Sequence, residues 1–92
     1  MPHIDVRRRH DLGRDAARTL ATDLAADLER EYGVRANWDG EVLRISGRGV
    51  KGDVVATDTE FRVQASLSMM MRPLRSTLER EIERTLDEAL GG

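Results

Sequence analysis

The sequence predicts one α+β domain over residues 1–92, in which a five-stranded antiparallel sheet carries two helices on one face in the order β-α-β-β-β-β-α. Three observations predict this class. Residues 34–68 alternate between apolar and polar side chains, which is the period of two that strands show. Turn-forming pairs interrupt this alternation at Asp39-Gly40, Arg48-Gly49 and Asp58-Thr59. The segments on either side carry apolar residues at helical spacing.

The first elements are a strand over residues 3–9 and a helix over residues 12–32. The strand alternates apolar and polar residues. Asp11 is a good N-cap residue for the helix, and Gly33 is typical of the position that follows a helix end. The apolar stripe of the helix comprises Leu12, Ala16, Ala17, Leu20, Ala21, Leu24, Leu28 and Tyr32.

The four following strands share one apolar face. A two-residue turn at Asp39-Gly40 places Trp38 opposite Glu41, so the period of two puts Trp38 on the same face as Leu43. The next two turns carry this face through the remaining strands, and its small residues allow a helix to approach closely: Ala36, Gly47, Gly52, Ala56 and Ala65. We expect burial of Trp38, Leu43, Ile45, Val54, Phe61, Val63 and Leu67, and exposure of Arg35, Arg44 and Arg62.

The last element is a second amphipathic helix that begins near Pro73, a residue suited to a first helical turn. Its apolar positions are Leu74, Leu78, Ile82, Leu86, Ala89 and Leu90. Both helices must cover the single apolar face of the sheet. If the first strand pairs with the last, the sheet is antiparallel throughout with strand order 2-3-4-5-1.

Composition excludes several classes of protein. The net charge of −2 and the pI of about 5.7 argue against a nucleic-acid-binding protein. The absence of cysteine excludes disulfides and thiolate chemistry. No apolar run approaches the roughly 20 residues of a membrane span, and the N-terminal residues lack the apolar region of a signal peptide. We therefore expect a cytoplasmic protein.

No residue pattern predicts catalysis. His3 and His10 are the only histidines, and neither has a second ligand at metal-binding spacing, so we expect both at the surface. The glycines after residue 46 precede a strand rather than a helix, so they do not form a phosphate-binding loop. The prediction is a protein without catalytic residues, metal or cofactor.

Two surfaces are candidates for binding. The polar face of the sheet carries seven cationic residues against four carboxylates, which leaves an excess of three positive charges. It is either an ordinary solvated face or a docking surface for an acidic partner or a second copy of the chain. The cationic residues of this face are Arg7, Arg9, Arg35, Arg44, Arg48, Lys51 and Arg62. In the same strand Arg8 points toward the helices, where it can pair with helix carboxylates.

The second candidate is the triplet Met69, Met70 and Met71 at the corner between the last strand and the last helix. Methionine is flexible and is common at adaptable apolar surfaces. One or two of the three are expected to fill the core. The remaining side chain would be dry only if the corner caps a cavity or meets an apolar partner, so the triplet either fills the core or forms an apolar contact site.

Several short motifs together resemble one known family. They are Pro2-His3-Ile4, Arg7-Arg8-Arg9-His10, Leu12-Gly13, Ala16-Ala17, Tyr32-Gly33, Trp38-x-Gly40, Leu43, Gly49-Val50 and Gly52. The chain resembles the putative polyhydroxyalkanoic acid system family over nearly its whole length. These are small bacterial proteins linked to polyhydroxyalkanoate storage granules, with no assigned catalytic residues.

The resemblance implies a non-enzymatic accessory protein of polyhydroxyalkanoate metabolism that binds the granule surface or a granule protein. The alternative is a small carrier of an apolar ligand, because a helix that crosses a curved sheet resembles a helix-grip fold. An internal apolar pocket of ~300 Å³ or more would favour the carrier. A homodimer is also expected. It could form through the two candidate sheet edges, the first strand and the strand Val34–Asp39, or face to face with Val42 and Val55 as an apolar contact on the polar face.

Overall fold

The computed structural model describes residues 3–91, and its elements follow the predicted order β-α-β-β-β-β-α. The α+β class is confirmed. A short 3₁₀ helix, Arg72–Leu74, precedes the second α-helix. The elements are β1 (His3–Arg9), α1 (Arg14–Tyr32), β2 (Arg35–Asp39), β3 (Val42–Gly47), β4 (Val50–Ala56), β5 (Glu60–Leu67) and α2 (Arg75–Ala89).

The five strands form one antiparallel sheet in the order β1-β5-β4-β3-β2, as predicted. Strands β2 to β5 are joined by consecutive hairpins, whereas β1 lies at the edge of the sheet and pairs with β5. In that pair Ile4 lies opposite Ala65 and Val6 lies opposite Val63. The side chains of these four residues continue the apolar inner face, which explains why β1 joins the sheet at this edge.

The first hairpin turns one residue later than predicted, which shifts the pairing register of its strands by two residues. Asp39 pairs with Val42, so the turn residues are Gly40 and Glu41 rather than Asp39 and Gly40. Gly40 alone has a positive φ, 64°, at the first central position, which is the arrangement of a type II′ turn. Glycine occupies the position that needs a positive φ, so Asp39 does not have to adopt that conformation. The shift is even, so Trp38 still shares a face with Leu43.

The second turn lies where it was predicted. Gly47 pairs with Val50 across Arg48 and Gly49, whose φ angles of 49° and 79° fit a type I′ turn. In the third turn the Thr57 N–H donates to the Glu60 carbonyl at 2.9 Å, and the Thr57 hydroxyl accepts from the Glu60 N–H at 3.0 Å. Threonine thus stabilises a turn that has no glycine.

The core lies between the inner face of the sheet and both helices. Helix α1 crosses β2, β3 and β4, and α2 packs on β1. Alanines on α1 allow the close approach, since Ala17 and Ala21 are completely buried. The buried apolar residues are Ile4, Val6, Ala17, Ala21, Leu24, Ala25, Leu28, Val34, Leu43, Ile45, Val50, Val54, Ala56, Phe61, Val63, Leu67, Leu78, Ile82 and Leu86.

Two burial predictions for the four-stranded meander need correction. Trp38 is only half-buried because β2 is an edge strand and α1 passes beside the indole. Its Nε1 donates to the Thr22 hydroxyl at 3.2 Å, and the Arg18 guanidinium stacks 4.0 Å from the ring centroid. Arg62 is half-buried rather than exposed, because it lies between Arg7 and Val55 on neighbouring strands.

Helix α1 begins at Arg14, not at Leu12, and Asp11 is not its N-cap. The reason is His10, which was expected at the surface and is instead buried. Its Nδ1 accepts the Leu12 N–H at 3.1 Å and its Nε2 donates to the Thr57 carbonyl at 2.9 Å. These bonds hold the chain in a loop before the helix and leave Leu12 exposed.

Candidate functional site

The first candidate site is the corner of residues 68–74 that joins β5 to α2, called here the methionine corner. Its backbone is fixed on the β3–β4 turn, because the Ser68 N–H donates to the Gly49 carbonyl at 2.8 Å. Two further bonds tighten the corner itself: Met71 N–H to Ser68 O at 3.1 Å, and Leu74 N–H to Met71 O at 2.9 Å. The corner is therefore a compact turn with a defined backbone.

The three methionines of the corner have different surroundings. Met69 is 82% exposed and Met70 is 91% exposed, whereas Met71 packs against the core. A Cβ added to Gly49 would lie 3.1 Å from the Met71 Cγ, so Met71 also supports the β3–β4 turn. Leu74 adds a partly exposed apolar side chain. One methionine thus holds the corner, and two neighbouring thioethers project into solvent.

The second candidate is the polar face of the sheet, called here the outer face. Register places its side chains in rows that cross the strands. The row nearest the methionine corner runs His3, Ser66, Lys51, Ser46, Arg35. The middle row runs Asp5, Gln64, Asp53, Arg44, Asn37. The far row runs Arg7, Arg62, Val55, Val42, Asp39.

The charges of the outer face are largely paired in the middle and far rows. Arg7 lies 3.7 Å and Arg62 lies 4.0 Å from Asp5, and Arg44 lies 3.1 Å from Asp39. The Arg62 Nε is nevertheless buried and has no hydrogen-bond partner among the described residues.

The remaining cations of the predicted face lie toward its margins. Arg9 pairs in register with Glu60, and Lys51 and Arg35 flank Ser46 in the row nearest the corner. Arg48 leaves the face altogether: it occupies the β3–β4 turn, and a Cβ on Gly33 would lie 3.0 Å from its Nε. The seven predicted cations therefore do not form one continuous patch.

Arg8 has the structural role predicted for it. Its guanidinium donates to Asp87 at 2.8 Å and to Glu83 at 3.0 Å, so it ties β1 to the C-terminal half of α2. These hydrogen bonds raise the pKa of Arg8 above its usual value. The arginine run of residues 7–9 thus divides between the two faces of the sheet.

Sequence reasoning missed a polar cluster between the helices. The Tyr32 hydroxyl donates to Glu81 at 2.7 Å, and the pKa of Tyr32 rises to about 12 through burial and this bond. The neighbouring Glu81 carboxylate raises the pKa of Glu31 above its usual value. Because the partners are 49 residues apart, no local spacing reveals them.

The interior offers little space for a ligand. A void between the helices and the sheet holds about 10 Å³, and its walls include Leu28, Val34, Ile45 and Leu78. A ligand pocket usually needs ~300 Å³ or more. This void is too small for the apolar cargo of the carrier hypothesis.

Two features are absent from the described residues, 3–91. No three His, Asp or Glu side chains lie together in a way that would hold a metal ion. Neither helix in this range is long and apolar enough to cross a membrane.

A family model described as "putative polyhydroxyalkanoic acid system protein" matches residues 4–90. The chain belongs to this family. Membership in the polyhydroxyalkanoic acid system family relates the protein to polyhydroxyalkanoate metabolism and confirms the resemblance given by the sequence motifs. One motif residue, Pro2, lies outside the described residues. Searches of curated proteins and of solved structures found no significant match.

Proposed function

We propose that this member of the polyhydroxyalkanoic acid system family is a non-enzymatic accessory protein that binds the storage granule directly through its methionine corner. The observation that carries the proposal is the exposure of two adjacent methionines, Met69 at 82% and Met70 at 91%. They stand on a backbone that hydrogen bonds fix to the neighbouring turn.

The chemistry of the polymer favours this corner over the outer face. Polyhydroxyalkanoate presents ester groups and alkyl chains without charge. Removing water from arginine side chains against such a surface is costly, because a neutral polyester does not replace their hydration. Flexible thioethers adapt to an irregular surface, and full burial of one methionine side chain is worth about 1.5–3 kcal/mol.

A role without catalysis is supported by the hydrogen bonds of the buried histidine, His10. Both ring nitrogens of His10 bond to backbone groups, and the ring packs edge-on against Phe61 with centroids 5.9 Å apart. Both ring nitrogens of His10 are therefore used in structural hydrogen bonds, and the residue joins β1 to the β4–β5 turn.

The proposal is tested by the substitution Met70→Asp and co-sedimentation with protein-free polymer particles. A carboxylate at the tip of the corner must be desolvated on contact, so binding should weaken by at least about tenfold. Thermal stability should stay nearly unchanged because the side chain is exposed. The matched control is Leu12→Asp, which adds the same charge at an exposed apolar residue far from the corner and should leave binding intact.

Persistent binding by Met70→Asp would show that contact is made elsewhere. If the wild-type protein never sediments with protein-free particles, direct binding is wrong. An acidic granule protein docked on the cationic residues of the outer face would then become the leading explanation.

A further inference from the structure

Most of the cations that lack a carboxylate partner among residues 3–91 lie at the end of the sheet that carries the methionine corner. Of the 15 Lys and Arg side chains, eight lie within 4.0 Å of a described carboxylate. Among the other seven, Arg18 stacks on Trp38, and Arg9 and Arg80 lie elsewhere. The remaining four lie at the end of the sheet that carries the corner: Arg35, Arg48, Lys51 and Arg72.

Backbone geometry places these cations next to the exposed methionines. Arg72 directly follows the methionine triplet. Lys51 lies opposite Ser66, two residues before Ser68, in the β4–β5 pair. Arg48 belongs to the turn that accepts the Ser68 N–H. A surface depression of about 360 Å³ connects Arg48 and Lys51 with Ser68.

We propose that the methionine corner docks on an anionic lipid surface, with Met69 and Met70 inserted at the boundary of headgroups and acyl chains. The inference rests on the same corner as the proposed function and adds a charge requirement that a neutral polymer does not have. Insertion of apolar side chains combined with attraction of cations to anionic headgroups is the general mode of interfacial lipid binding. Anionic headgroups also replace the hydration that the cations lose.

A lipid surface fits the corner better than an acidic protein does. Met69 and Met70 project from a tight turn, with 82% and 91% of their surface exposed. A fluid interface accommodates two protruding side chains without a preformed pocket, whereas a protein partner would need a matching cavity for each. The charges then add affinity, since each Lys or Arg near an anionic leaflet strengthens binding about fivefold.

The test is flotation with vesicles of phosphatidylcholine alone and of phosphatidylcholine mixed with phosphatidylglycerol. The wild-type protein should bind the mixed vesicles and not the neutral ones. Binding should weaken as salt is raised, because the attraction is screened over ~10 Å at 0.1 M ionic strength. The double variant Lys51→Gln/Arg72→Gln should bind the mixed vesicles roughly 25-fold less tightly.

The matched control is Arg9→Gln/Arg80→Gln, which removes the same two charges from exposed cations away from the corner. Its vesicle binding should match the wild type. If the two double variants lost equal amounts of vesicle affinity, the effect would depend only on net charge, which would overturn the proposal. Equal binding to neutral and mixed vesicles would overturn it as well.

Parallel assays with polymer particles separate the two proposals. If the wild type binds protein-free polymer but no vesicles, lipid docking is wrong and direct granule contact stands. If it binds anionic vesicles but no polymer, the lipid inference stands and direct polymer contact is wrong.

Discussion

Gly52 lies where β4 leaves no room for a side chain beside β5. A Cβ at this position would lie 2.3 Å from the Gln64 carbonyl oxygen and 3.0 Å from the Cα of Ala65. The obstacle is backbone, so β4 and β5 would have to move apart to accept a side chain. Sequence reasoning placed Gly52 correctly on the inner face but assigned its small size to helix packing, whereas the contact that requires glycine is with the adjacent strand.

The substitution Gly52→Ala should therefore lower the free energy of unfolding by about 2 kcal/mol or more, measured by urea denaturation. Gly91→Ala is the control, because it adds the same methyl group after α2 with nothing within 4 Å. Its φ of 78° leaves only the left-handed strain of about 1 kcal/mol. A loss for Gly52→Ala no larger than that for Gly91→Ala would contradict the close approach.

Residue character predicted most of the core but not its margins. Leu43, Ile45, Phe61 and Val63 are buried because alternation alone decides which face a strand residue takes. Trp38 lies on the predicted face but is less buried than predicted, because its exposure also depends on how far α1 extends over an edge strand. The sequence does not specify that lateral position.

At the scale of elements, the absorbance of Tyr32 gives a direct measure of the contact between α1 and α2. Tyr32 is the only tyrosine, so its ionisation is read directly from phenolate absorbance. Burial and the hydrogen bond to Glu81 raise the pKa of Tyr32 to about 12. The folded-state pKa lies above the unfolded value of about 10, so this contribution to stability is present below pH 10 and is lost as pH rises toward 12.

An absorbance titration of the folded protein should give a midpoint near pH 12. In Glu81→Gln the midpoint should fall toward 10 but not reach it, because the charge of the acceptor is removed while burial remains. A midpoint near 10 in the wild type would show that the bond between the helices is absent in solution.

Element boundaries were less predictable than element types. The Asp39-Gly40 pair predicted a hairpin correctly, but its turn centre was wrong by one residue because the chain uses Gly40 for the positive φ of a type II′ turn. The predicted start of α1 was wrong because His10 binds the backbone of the following loop. Such contacts across the fold compete with local capping signals, and the sequence alone does not show which is stronger.

At the scale of the whole molecule, self-association through the outer face stays a prediction. Val42 and Val55 lie opposite each other and are half-buried, which gives the far row of this polar surface an apolar patch. Light scattering at rising concentration should show a mass above the 10.3 kDa of the monomer. Val55→Lys should prevent the increase, and Ser46→Lys, at the row nearest the corner, should preserve it. A constant monomer mass for the wild type would contradict the homodimer.

The candidate sites were only partly visible in the sequence. The methionine triplet was found, but the division into one packed and two exposed residues depends on the Gly49 contact. The excess of positive charge on the outer face was also found. In the structure Arg44 pairs diagonally with Asp39, and Arg48 lies beside Gly33. Most of the unpaired described cations therefore lie at the end of the sheet that carries the methionine corner.

The course of α2 away from the methionine corner determines how a granule-bound molecule would be oriented. The helix starts at the corner and ends beside Arg8, so its 15 residues carry the chain about 22 Å from the contact end. A molecule attached by the corner would stand upright, with its last described residues directed away from the contact surface. A fluorophore attached to the exposed Ala89 would therefore report on the bound protein without competing for the surface, whereas one attached to the exposed His3 would lie beside the contact.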